Sequence, residues 1–405
     1  MPLKLRERQA VINELVPRYR KASKRDKGVI LDQVRELTGY NRSYASRALR
    51  RSSAPKPVSS KVSRPRSGRP PVYGDQVRQV LIKIWAIMTC PCGKRLAPFM
   101  GELVSALERH SELSLDPTVR SHLLTMSAAT IDRLLAPERR RMSIKGKTGT
   151  KPGSLLKRNI PIRTFAEWDD HRPGFIEIDL VGHDGGNTRG DYAQTLDMVD
   201  VATGWTETAA VKNKAQRWVF EAIQRKRESF PFPLLGIDSD NGSEFINDQL
   251  LRFCGQHHLT FTRSRPGWKN DNCYVEQKNW VVVRKMVGYE RHDTPEQLAA
   301  LNQLYDPLRL YTNFFQPQQK LVKKERNGAR VRRTYDSAKT PYQRIMASPD
   351  IPESTKVTLT EQYYQLNPAA LRRELLHRQQ ILWSLTHAPS DDAQLTKEVA
   401  HNEYL

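Results

Sequence analysis

The stretch Ile237-Asp-Ser-Asp-Asn-Gly-Ser-Glu-Phe-Ile246, with the later segment Ser264-Arg-Pro-Gly-Trp-Lys-Asn-Asp-Asn-Cys-Tyr-Val-Glu-Gln-Lys-Asn279, decides the fold. An apolar run starting at Leu234 ends in acids and then in Asn241-Gly242, a dipeptide that marks a turn with positive φ, so Asp240 stands where a strand breaks open. A carboxylate there is well placed to hold a metal ion. Past the turn, residues 244–256 suit a helix, 259–262 a short strand, and Arg265-Pro266 a loop. A second helix begins near Asp271 or Asn272, both good caps, and places Glu276 in its second turn. Thirty-five residues separate Asp240 from Glu276.

Working outward, residues 175–181, 192–201 and 205–210 read as three strands, 214–228 as a helix and 234–238 as a fourth strand. Three antiparallel strands, a helix, a further strand and then helices is the order of a ribonuclease-H-like sheet. Phe175-Ile-Glu-Ile-Asp-Leu-Val181 supplies Asp179 on the first strand.

These segments resemble the catalytic core of the retroviral-integrase-like transposases of bacterial insertion sequences, strongly over about 170–290. Their acidic triad is two aspartates and a glutamate, the last two separated by 35 residues. Asp240 matches the aspartate of the Asp-Asn-Gly motif, Glu276 the glutamate of Asn-Asp-x-x-x-Glu, and Asp179 the aspartate on the upstream strand. The resemblance implies that these three carboxylates are catalytic and hold two Mg²⁺ ions, with Mn²⁺ as a substitute. It implies metal-dependent cleavage of the element's 3′ ends and strand transfer into target DNA. Hard divalent cations prefer carboxylate oxygens, and two of them can activate a nucleophile and relieve charge on a leaving oxygen.

Other acids compete for these places. Glu177 and Asp238 each lie two residues before a chosen ligand and share its side of a strand, while Glu244 suits the N-terminal turn of a helix. Asp197 and Asp200 are read as surface residues, and Trp280 as a core aromatic. Around Glu276, Lys269, Asn270, Lys278 and Asn279 are expected to touch DNA near the cut, by analogy with the family. His183 reads as structural, and Cys254 as a packing residue. Cys90-Pro-Cys92 lacks regularly spaced partners for zinc.

The chain has 405 residues, a net charge of +22 and a pI near 9.9, which favours nucleic acid as partner over an anionic membrane. No apolar run approaches the length of a membrane span, and the N-terminus lacks the apolar core of a signal peptide. The expected setting is the bacterial cytoplasm, with the protein on the nucleoid when bound. The fold class expected is multidomain α+β. Helix-turn-helix domains lead into a ribonuclease-H-like α/β core and a basic C-terminal region.

Residues 1–52 carry a helix, a Gly-containing turn and a basic helix from Arg42, a helix-turn-helix signature. Arg42, Arg47 and Arg50 are candidate DNA contacts, with Tyr44, Ala45, Ala48 and Leu49 packing; a basic solvated helix is the alternative. Residues 53–72 form a Pro/Ser/Arg linker in which Arg66 and Arg69 suit a minor-groove hook or a plain basic tether. Through residue 72 the surplus of Lys and Arg over acids is fourteen of the total twenty-two. A second helical DNA-binding domain spans 73–136, with Thr130 and Arg133 as candidate readers, or serves for dimerisation instead. Residues 137–169 form a basic linker.

Beyond the core at 170–290, residues 291–345 suit a helix over 294–305, another over 308–315 and a basic hairpin turning at Asn327-Gly328. This region is expected to contact DNA. Residues 346–405 hold a helical tail over 368–385. Joining two DNA ends calls for a homo-oligomer on double-stranded DNA; a helper ATPase is neither indicated nor excluded. Two other functions fit parts of the chain: a nuclease of the same fold acting on RNA–DNA hybrids, and a DNA-binding repressor with a silent core.

Overall fold

The computed structural model describes residues 3, 5–53, 72–141, 172–240, 242, 244–245, 247–263 and 273–387. The chain divides into two compact units, Met1–Pro71 and Val72–Leu405. Arg66, Arg69, Lys269 and Asn270 lie outside the described residues.

Among the described residues, the first unit has three helices, α1 (Leu5–Lys21), α2 (Lys24–Thr38) and α3 (Arg42–Ser53). Ser23 caps α2 through the Asp26 N–H, and Gly39 ends it at φ 70°, the left-handed conformation that glycine adopts without penalty. The side chain of Asn41 then accepts from the Tyr44 N–H at 2.8 Å and starts α3. Ala45 and Leu49 bury one face of α3 against Ile12, Leu15, Val16, Tyr19, Ile30 and Val34. Tyr44, expected to pack, is half-exposed and meets Tyr40 edge-on. The burial of Ala45 and Leu49, four residues apart, already satisfies the inner face.

In the second unit, α4 (Asp75–Ile87), α5 (Gly93–Arg109), α6 (Pro117–Thr125) and α7 (Ala128–Arg141) precede the sheet. Their buried faces run into one hydrophobic cluster with residues of the sheet and of the C-terminal helices. The helices over 73–136 therefore do not stand apart as a separate body: Leu81, Phe99 and Leu135 share a core with Ile176, Ile237 and Phe315.

The sheet has five strands, β1 (Phe175–Gly182), β2 (Gln194–Asp200), β3 (Thr206–Val211), β4 (Gly236–Ser239) and β5 (Thr260–Arg263), in the order β3-β2-β1-β4-β5. β1–β2 and β2–β3 are antiparallel, whereas β1–β4 and β4–β5 are parallel. Helix α8 (Gln216–Arg227) connects β3 to β4, and α9 (Asp248–Gln256) connects β4 to β5. The helix expected over 244–256 starts later because the Asn247 side chain caps it through the Leu250 N–H. The order is the one expected of a ribonuclease-H-like sheet.

Then come α10 (Cys273–Lys278), a π-helical stretch over Asn279–Arg284, α11 (Lys285–Val287) and the 21-residue α12 (Pro295–Phe315). Sequence reading broke α12 at Asp306-Pro307, yet the helix continues. Leu301, Leu304, Tyr305, Leu308, Tyr311, Phe314 and Phe315 are all buried, and that packing outweighs the one backbone bond that proline removes. A hairpin of β6 (Leu321–Asn327) and β7 (Arg330–Tyr335) turns at Gly328, φ 58°, as expected. The chain then forms α13 (Pro341–Ala347), α14 (Glu353–Gln365) and α15 (Pro368–His387), of which only the last was foreseen.

Candidate active site

Strand register assembles the site. β1 and β4 pair as Glu177↔Asp238 and Ile178↔Ser239, so Asp179 and Asp240 meet one step past the last pair. On the other side of β1, Asp179 pairs directly with Asp197. Opposed residues in neighbouring strands share a face of the sheet. One face therefore carries Glu177, Asp179, Asp197 and Asp238, while Ile176, Ile178, Met198 and Ile237 point into the core on the other.

Asp179 is half-buried. Its Oδ1 accepts from the Leu180 N–H at 2.8 Å and its Oδ2 from the Asn279 Nδ2 at 2.6 Å. Burial, then the charge of Asp240 and, more weakly, that of Glu276 push its carboxyl up to about 7. Asp240 is held by the Gly242 N–H at 2.8 Å, and burial raises its carboxyl too, with Glu244 adding to the rise. Glu276 lies exposed in the first turn of α10. That turn is fastened to the sheet by Glu177, whose Oε2 accepts from the N–H groups of Tyr274 and Val275 at 2.9 and 3.0 Å. Glu177, a competitor for the ligand role in the sequence, is thus an anchor for the helix that bears Glu276.

Asp179 feels the charge of both Asp240 and Glu276. Among the described residues, however, no three His, Cys, Asp or Glu side chains are placed so as to hold a metal ion together. In kind the donor set fits a hard divalent cation. Carboxylates that raise one another's proton affinity are relieved when a cation replaces the proton.

Several expectations are corrected here. Asp197 and Asp200 are fully buried, because helices cover both faces of β2 and every residue of that strand is out of solvent. Asp200 closes the β2–β3 turn by accepting from the N–H groups of Gly174 and Thr203 and from the Thr203 hydroxyl. Among the described residues, neither carboxylate oxygen of Asp197 has a hydrogen-bond partner.

Lys278, expected on DNA, turns inward: it is 7% exposed and donates to the Gly204 carbonyl at 3.2 Å. Burial lowers its proton affinity and raises that of Asp197, and the opposite charges of the pair work against both shifts. Asn279, also expected on DNA, is instead the partner of Asp179. Trp280, expected in the core, is half-exposed beside Tyr289, since Val282, Val283 and Met286 fill the inner side of this helical run.

Asp238 is buried and accepts from the Thr262 hydroxyl across the β4–β5 pair, which leaves the strand-end position to Asp240. His183 is buried with its Nε2 2.7 Å from the Thr195 hydroxyl, a structural role as foreseen. Cys254 packs in the core, where burial pushes its thiol up to about 12. Of the candidate DNA contacts, Arg42 is exposed and paired with Asp32. Arg47 and Arg50 are exposed on α3. On α7 the exposed Arg133 donates to the half-buried Thr130 at 3.0 Å. The signal for Asp197 was available in the sequence, as the residue opposite Asp179, but only once the register was known.

A family model described as "Integrase core domain" matches residues 169–269. The uncharacterized protein y4rM of Sinorhizobium fredii (strain NBRC 101917 / NGR234) is 41% identical over 339 residues, spanning 83% of this chain and 94% of its own. Among solved structures, the catalytic core domain of BIV integrase aligns at 17% identity with a TM-score of 0.30, covering 45% of this chain and 98% of that one. The HTLV-2 integrase catalytic core domain in complex with magnesium aligns at 16% identity with a TM-score of 0.27, covering 42% and 95%. At such scores the two structural likenesses carry no weight. No helix among the described residues is long and apolar enough to cross a membrane.

Proposed function

The chain belongs to one family with y4rM and carries an integrase core domain. On that premise we propose that it is a DDE transposase that binds the terminal inverted repeats of an insertion sequence, cuts its 3′ ends and joins them to target DNA. The observation that carries this reading is the pairing of β1 with β4, which sets Asp179 beside Asp240, while Glu177 of the same strand fastens the helix bearing Glu276.

Asp179, Asp240 and Glu276 are the residues that would hold Mg²⁺ or Mn²⁺. Bound there, such ions lower the pKa of the attacking water or 3′ hydroxyl and offset charge on the leaving oxygen. The chain's own part is positional. The Leu180 N–H and Asn279 each fix one oxygen of Asp179, and the Gly242 N–H fixes one of Asp240. With its carboxyl pushed up to about 7, Asp179 is partly protonated at neutral pH without metal, and proton and cation compete for it, so the Mg²⁺ concentration needed for half-maximal activity should fall as pH rises through neutrality.

Arg47 and Arg50 on α3 and Arg133 on α7 offer exposed positive charge for DNA. Phosphate contacts of this kind hold a duplex in place through counterion release. Joining two ends calls for at least two copies of the chain on the DNA.

The test is strand transfer of a labelled duplex taken from the DNA flanking the gene, with Mg²⁺, by the wild type and by Asp240→Asn. Transfer by the wild type and none by the variant is the expected result. Transfer that survives the substitution removes Asp240 from the site. Cutting confined to RNA–DNA hybrids, or specific binding with no cutting, overturns the transposase reading.

A further inference from the structure

The β6–β7 hairpin is a ribbon on which, among the described residues, every side chain is exposed on either face. A lone two-stranded hairpin is marginal in water, and an open strand edge invites a partner. This ribbon carries six Lys or Arg and one acid over Leu321–Tyr335, which repels a second copy of itself and attracts a polyanion.

Its register sorts the charges onto both faces. Glu325↔Arg332 and Asn327↔Arg330 share one face with Lys323, whereas Arg326↔Val331 and Arg333 lie on the other. A surface built to lie flat on a backbone would be basic on one side only. A two-stranded ribbon has the width that the major groove of DNA admits.

The root is held firmly. Lys320 N–H donates to the Asp336 carboxylate at 2.6 Å, and Arg344 pairs with Asp336 at 2.8 Å. The ammonium of Lys320 donates to the carbonyls of Val201 and Ala202 and stands over the ring of Tyr274, two residues before Glu276. The ribbon therefore springs from beside the first turn of α10.

We propose that the β6–β7 ribbon enters a groove of duplex DNA as a two-sided wedge, its opposite faces meeting phosphates on the opposite walls next to the acidic site. This rests on the reading of the chain as a DNA transposase and names a DNA-holding element of that site.

The experiment measures binding of the full chain to a 40-bp mixed-sequence duplex in EDTA across a salt series. It compares the wild type with Arg330→Gln/Arg332→Gln on one face and Arg326→Gln/Arg333→Gln on the other. Each phosphate contact contributes about 0.9 to the slope of log affinity against log salt, so each pair should lower that slope by up to about 1.8, and the two losses should add. An effect from one face alone means that the ribbon lies flat, and overturns the wedge. No effect from either overturns the DNA contact. So does a change confined to self-association, read by sedimentation without DNA. Unchanged thermal unfolding keeps misfolding from imitating a loss. Because no metal is present, failure of strand transfer in the earlier test leaves this result standing, and the reverse also holds.

Discussion

Asn279 donates to Asp179 Oδ2, so its loss takes the donor from that oxygen without removing any charge, while the Leu180 N–H still holds Oδ1. Outer partners of this kind are worth 10–100-fold in metal affinity or activity when removed. Asn279→Ala should therefore slow Mg²⁺-dependent nicking by about that factor while DNA affinity in EDTA stays at the wild-type value; a fall in affinity instead would return Asn279 to the DNA surface. A second residue bears on pH. Burial holds the imidazole of His292 down at about 4, and that of His183, 5.4 Å away ring to ring, well below its usual range. Between about pH 6.5 and 4 the unfolded chain binds protons that these buried rings refuse, so their share of stability is present above about 6.5 and drains as pH falls. His292→Phe should shrink the loss of unfolding free energy between pH 7.5 and 5 by about 1–2 kcal/mol in urea titrations. Asp200, held up at about 6 by burial, acts in the opposite sense, so the comparison is between variant and wild type rather than along one curve. Equal losses in both would show that His292 takes up its proton alike in the folded and the unfolded chain, and that burial does not hold its imidazole down.

The first turn of helix α10 is tied to β1 through one carboxylate. With Glu177→Ala the N–H groups of Tyr274 and Val275 lose their acceptor, a cost of about 1.5–3 kcal/mol for bonds to a charged group, and Glu276 loses its mooring beside Asp179. Unfolding free energy and nicking rate should fall together, and Glu177→Gln, which keeps an acceptor oxygen, should fall less; an unaltered nicking rate in the alanine variant would sink the mooring role. Elsewhere α5 and α7 touch at Gly93, whose N–H donates to Asp132 and where an added Cβ would lie 2.1 Å from the Ala128 carbonyl oxygen. Gly93→Ala should cost about 1–3 kcal/mol as an overpacked contact, read from the same titrations. The elements themselves were legible in the sequence: β1, β2, β3 and β4 fall within two residues of the apolar runs that announced them, because alternation and turn residues are local signals. What lay hidden depends on neighbours distant in the chain. Asp197 reads as a surface residue until helices close over β2, Lys278 reads as a DNA contact until Asp197 is known to lie buried beneath it, and α12 reads as two helices until its buried face is counted across Pro307.

The two units answer to different parts of the chemistry. Val72–Leu405 holds all three acids, the ribbon and two hydrophobic clusters, whereas Met1–Pro71 has a core of its own built from Ile12, Leu15, Val16, Tyr19, Ile30, Val34, Ala45 and Leu49. A chain cut to 72–405 keeps every buried contact of the sheet and its helices, so its thermal midpoint should stay within about 4 °C of that of the larger unit in the full protein, the shift expected from no more than about 1 kcal/mol. Its grip on DNA should change in kind. The first 72 residues carry fourteen of the twenty-two surplus positive charges, so their removal should flatten the salt dependence of binding by several contacts' worth of counterion release. If α3 reads base edges, discrimination between an element end and mixed-sequence duplex should also fall at least tenfold, since each lost base contact is worth about 1–3 kcal/mol. Metal-dependent nicking of mixed-sequence duplex should persist in the shortened chain. Discrimination retained in full by 72–405 would move sequence reading to α7 and its Thr130 and Arg133, and leave α3 a basic helix that holds DNA without reading it.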